Sequence, residues 1–124
     1  MTGNEYQQLA MRTNDGLNTT RLTNAIFDCH TITIAQLING ALGLTGEAGE
    51  VSDLVKKGIF HEKGIDLEHL KKELGDCTWY LAMICDACGF TLDDVMQTNI
   101  DKLKARYPKG FDTYRANNRA EGDI

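Results

Sequence analysis

Two acidic pairs constrain this chain most. Glu47 and Glu50 stand in the run GLTGEAGEV, and Glu73 and Asp76 in KKELGDCTW. Each pair has i, i+3 spacing, which on a helix sets both side chains on one face, a turn apart. Four carboxylates converging from two helices form a hard oxygen cage suited to Mg²⁺ or Mn²⁺. A purely structural bundle gains nothing from such convergence, because like charges at close range repel. The cage fits the chemistry of a phosphate-handling enzyme.

The rest of the chain reads as helical. Thr2 with Glu5 is a capping box that opens a short helix to about position 14. Positions 15–31 mix turn residues with Leu17, Leu22, Ile26 and Phe27, as in a short helix or an ordered loop. A long helix is predicted over about 33–57, although Gly40, Gly43, Gly46 and Gly49 fall within it. Each costs about 1 kcal/mol against alanine, so close approach of another backbone or of a ligand is expected to offset them. Asp66 N-caps a helix over about 67–88, and Gly89 ends it. Thr91 with Asp94 opens the last helix, which stops before Pro108. The stretch 109–124 is polar and lacks a strong period. No strand pattern of useful length is present. The expected fold is all-α, a small bundle of four to five helices completed by oligomerisation. One domain spans 1–124, with its core at about 33–108.

Composition narrows the function. A formal net charge of −5 over 124 residues argues against an electrostatic nucleic-acid binder. An anionic substrate would need a metal ion and local cations to approach. The first residues, MTGNEYQQLAMRTND, lack the basic start and apolar core of a signal peptide. No apolar run is long enough to span a membrane. A cytoplasmic protein with no membrane partner is expected. Cys85-x-x-Cys88 has half of a zinc spacing without the other half. Cys77, Leu81, Ile84, Cys85 and Cys88 follow helical apolar spacing, so the thiols are read as small buried hydrophobes.

Helical phase sorts the faces further. At about 100° per residue, Glu47 and Glu50 share a face with Gly43, Leu54 and Lys57, and Glu73 and Asp76 share one with Tyr80 and Ile84. The acids therefore lie at the core boundary. In the last helix Asn99, Lys102 and Arg106 form one stripe. Leu92, Met96, Ile100 and Leu103 form the adjacent apolar stripe, whose burial would turn the cations toward the acids.

GLTGEAGEVSDLVKK, then LKKELGDCTWYLA, then TNIDKLKARYPKGF together resemble the MazG-type nucleotide pyrophosphohydrolases of the all-α NTP pyrophosphatase superfamily. That family's ExxE–spacer–ExxD signature is matched by Glu47, Glu50, Glu73 and Asp76, with 22 residues between the pairs. The resemblance covers about 37–111. It implies hydrolysis of a nucleoside triphosphate to the monophosphate and pyrophosphate, in nucleotide pool sanitation or control, by a homodimer or homotetramer. It implies Mg²⁺, or Mn²⁺, on the four acids, and Asn99 and Lys102 on the substrate side. Tyr80 falls where a relative's nucleotide contact lies. Lys57 and Arg106 join the candidates on helical phase alone. Glu47 and Glu50 are the candidates to position or deprotonate the attacking water.

Other readings stay open beside these. Tyr80 and Trp79 suit a base-stacking platform or the core, and His30 suits a base pocket or the surface. Lys102 suits a phosphate contact or the end of a helix dipole. The same scaffold serves dUTP- or dCTP-preferring and phosphoribosyl-ATP pyrophosphatases. A non-catalytic metal-binding helical module is the remaining alternative. A di-iron bundle lacks its Glu-x-x-His motifs here.

Overall fold

The computed structural model describes residues 1–122. Six helices run in order: α1 (Gly3–Met11), α2 (Asn18–Asp28), α3 (Ile34–Phe60), α4 (Leu67–Cys88), α5 (Leu92–Arg106) and α6 (Thr113–Asn117). No strand occurs among the described residues. The expected count of four to five is exceeded because positions 15–31 do hold a helix and because the polar tail carries a short one. Asp112 starts α6 by accepting a hydrogen bond from the Arg115 backbone N–H at 3.0 Å. The reading of 109–124 as a polar tail extends two residues beyond those described.

Local chemistry sets the helix ends. The Thr2–Glu5 capping box is present in both directions. Asp66 accepts from His69 N–H at 3.0 Å and Thr91 from Asp94 N–H at 3.1 Å, each satisfying a donor of a first helical turn. Gly89 closes α4 in the left-handed region at φ 71°.

α3 and α4 form an antiparallel hairpin, the principal packing of the chain. Its register is written in successive contacts. Thr33 N–H donates to the Ala87 carbonyl at 2.9 Å, and Gln36 Nε2 donates to the Met83 carbonyl and to Asp86. Gly40 then meets Ile84, and Gly43 meets Tyr80. One more turn along α3 brings Glu47 to Asp76, whose charge bears on it.

The glycines of α3 divide into two kinds. A Cβ on Gly40 would stand 2.7 Å from Ile84 Cγ1, and a Cβ on Gly43 would stand closer still to Tyr80 Cε1. Close approach of α4 therefore accounts for these two. Gly46 and Gly49 meet nothing within 4 Å of an added Cβ. Gly43→Ala is expected to destabilise the protein by about 1–2 kcal/mol, the overpacking cost less the gain in helix propensity. Gly46→Ala is expected to stabilise it by up to ~1 kcal/mol. Urea midpoints of the two variants check this, and a destabilised Gly46→Ala would mean that another chain or a ligand approaches there.

Little of the apolar surface is covered within the chain. Cys85 and Ala87 are the buried hydrophobic residues among those described. Cys85 is buried as its reading as a small hydrophobe expects, whereas Cys77 and Cys88 are only half-buried. α5 touches α4 only sparsely and buries no residue. Its stripe of Met96, Ile100 and Leu103 lies exposed, so the expected burial of that stripe does not occur within one chain. The accessible surface is 10030 Å² for 13.8 kDa, whereas a compact monomer of that mass exposes roughly 6,600 Å². No described helix is long and apolar enough to cross a membrane.

Candidate metal and phosphate site

The hairpin register brings Glu47 from the middle of α3 to the first half of α4. One carboxylate oxygen from each of Glu47, Glu73 and Asp76 lies within 4.8 Å of the others. Glu47 and Glu73 are half-buried in the seam, and Asp76 is exposed at its edge. Burial in the seam holds the Glu47 carboxyl above its ordinary pKa, and the charges of Asp76, Glu73 and Glu50 push it the same way. A site that raises the proton affinity of an acid in this manner also favours a bound cation, which relieves the same repulsion. Three carboxylate oxygens at this spacing need only small side-chain adjustments to share one divalent ion.

Glu50 stands outside this trio. It is exposed, and it lines a neighbouring cavity of about 260 Å³ together with Glu73, Asp53, Lys57, Lys63 and His69. Lys57 is therefore beside the acids, as its helical phase predicts. Its ammonium is paired with Asp53, which raises its pKa, and Asp53 also holds Lys56 at 3.1 Å. His69 Nε2 lies 2.7 Å from Glu73 Oε1, where the ring N–H can donate to the carboxylate and orient it. Asp53 and His69 are not among the sequence candidates, although both follow the i, i+4 rule that pairs Asp53 with Lys57 and His69 with Glu73.

The remaining candidates lie elsewhere. Tyr80 packs over Gly43 in the seam and meets Trp79 edge-on, with ring centroids 4.9 Å apart. Trp79 itself is exposed. Lys102 and Arg106 line a second cavity of about 350 Å³ with Arg115 and Arg119, distinct from the one beside the acids. Arg106 also approaches the Tyr107 ring, 6.0 Å from its centroid. Asn99 is exposed on α5 and lines neither cavity. His30 is exposed at the end of α2.

Comparison with known proteins bears on this hairpin directly. The sequence model of the MazG nucleotide pyrophosphohydrolase domain matches residues 37–111, which include α3 from its first turn, all of α4 and all of α5. A protein of Mycobacterium phage L5 described as Gene 37 protein is 35% identical over 82 residues, covering 63% of this chain and 72% of that one. No solved structure matches.

Proposed function

Because the chain belongs to the MazG nucleotide pyrophosphohydrolase family, we propose that it hydrolyses a nucleoside triphosphate between the α and β phosphates, releasing the monophosphate and pyrophosphate. The observation that carries this reading is the meeting of Glu47, Glu73 and Asp76 at the α3–α4 seam, inside the matched segment. Three hard oxygen ligands of this kind suit Mg²⁺, with Mn²⁺ as the nearest substitute.

Glu47, Glu73 and Asp76 would hold the ion. Once bound, it supplies charge neutralisation at the phosphates and acidifies water. Glu50, one turn from Glu47 and facing the cavity, is the acid left to accept a proton from the attacking water. His69 orients Glu73. The Asp53–Lys57 pair fixes a cation at the cavity wall. Among the described residues no serine or cysteine is hydrogen-bonded to a histidine, Ser52 donating to the Ala48 carbonyl and Cys29 meeting Thr31, so direct attack by water is the supported route.

Assembly is part of the proposal. The exposed surface exceeds that of a compact monomer by about 3,400 Å² per chain, several times the roughly 800 Å² that each partner contributes to a standard interface. A homodimer or homotetramer with helix-on-helix contacts would cover the α5 stripe. The same assembly would give Asn99, Lys102 and Arg106 a route to a substrate held on another copy. The substrate proposed is one of the nucleoside triphosphates, and the role proposed is nucleotide pool sanitation or control. The test is pyrophosphate release over a panel of canonical and damaged triphosphates, with Mg²⁺ and with chelator. Release from at least one substrate with Mg²⁺ alone is the expected result. No release from any would leave a metal-binding helical module.

A further inference from the structure

The connector between α3 and α4 folds back onto the last turn of α3. Gly64 N–H donates to the Gly58 carbonyl at 3.1 Å, and a Cβ on buried Gly58 would stand 2.9 Å from the Gly64 carbonyl oxygen. Gly64 at φ 75° and Glu62 at φ 55° make the reversal, and glutamate rarely adopts this left-handed conformation. The turn brings Lys63 to the lining of the 260 Å³ cavity that also holds Glu50 and Glu73.

The charges around that cavity are unequally satisfied. Asp53 is engaged by Lys56 and Lys57, and Asp66 is engaged as the N-cap of α4. Lys57 is committed to Asp53. Lys63 has no carboxylate partner among the described residues, and it is exposed. A cation beside metal-binding acids, with its own charge unbalanced, suits the phosphates that extend past the metal.

We propose that Lys63 binds the terminal phosphates of the triphosphate, the part that leaves as pyrophosphate. This rests on the reading of the hairpin acids as the catalytic centre. The lysine offsets the charge that develops on the leaving group, and the Asp53–Lys57 pair holds the neighbouring wall in place.

The test uses the full chain with saturating Mn²⁺ and two probes, inorganic tripolyphosphate and a nucleoside monophosphate, titrated calorimetrically. Lys63→Ala is expected to weaken tripolyphosphate by about tenfold, the effect of one lost charge-assisted hydrogen bond. Lys63→Arg is expected to restore most of it, and monophosphate binding is expected to stay unchanged in both variants. An unchanged tripolyphosphate affinity in Lys63→Ala, an equal loss for both probes, or no tripolyphosphate binding by the wild type would overturn the proposal. Wild-type protein that binds tripolyphosphate through Lys63 yet releases no pyrophosphate from any triphosphate would overturn the catalytic reading and the leaving-group role, and leave Lys63 as a polyphosphate contact.

Discussion

Asp76→Asn and Glu47→Gln are each expected to lower turnover by more than about a hundredfold while leaving the helices intact. Even the hydrogen-bond partners of metal ligands commonly cost 10–100-fold when removed, so loss of a ligand in a set of three should cost more. The Glu47 variant carries a second signature. In the wild type the Glu47 carboxyl titrates above its ordinary value of 4.5, through burial first and then through Asp76, Glu73 and Glu50. The folded state therefore keeps that proton to a higher pH than the unfolded chain does. Without metal, Glu47 allows full stability below the ordinary carboxylate pKa. Stability then falls as pH rises from that value to the raised one, and stays lower above it. Glu47→Gln removes the penalty. The metal-free variant should outlast the wild type in thermal melts at neutral pH and match it more closely in acid. Added Mg²⁺ should stabilise the wild type and leave the variant nearly unmoved. A variant with normal turnover, or one destabilised at neutral pH in chelator, would count against the cage.

The second large effect concerns assembly. Ile100→Glu on α5 is expected to shift the protein from a dimer or tetramer to a smaller species and to lower its thermal midpoint. Ile100 is 46% exposed in the single chain, between Met96 at 52% and Leu103 at 41%. Burying such a side chain contributes about 1.5–3 kcal/mol, and in a two-fold interface each substitution counts twice. A chain with so little covered apolar surface has few other sources of stability, so dissociation and unfolding should occur together. Light scattering at micromolar concentration reads the outcome. A wild-type monomer, or an Ile100→Glu variant of unchanged mass and stability, would contradict it.

What was legible in the sequence was mostly local. The caps at Thr2, Asp66, Thr91 and Gly89 depend on residues within one turn, and all four appear in the structure. The i, i+3 acids could be assigned to helices for the same reason. The meeting of Glu47 with Asp76 needed only that α3 and α4 lie antiparallel, as a short connector requires. That Glu50 would line the cavity beside Glu73 while Glu47 sits in the seam was not legible. Three residues along a helix leave about 60° of rotation, enough to put one acid in the seam and the other at a cavity mouth. The environment of α5 was not legible either. An apolar stripe states that something will cover it but not what, and within one chain Met96, Ile100 and Leu103 stay exposed. Half of the glycine pattern found its reason in Ile84 and Tyr80. The place of Lys63 at the cavity was not legible, because it comes from a reversal at Glu62 and Gly64 that composition does not announce.

The most direct test of the central claim is the identity of the products. ³¹P NMR of a triphosphate incubated with the wild-type protein and Mg²⁺ should show nucleoside monophosphate and pyrophosphate growing together in equal amounts, with no growth in chelator. Nucleoside diphosphate with orthophosphate, or no metal-dependent product from any triphosphate tried, would contradict it.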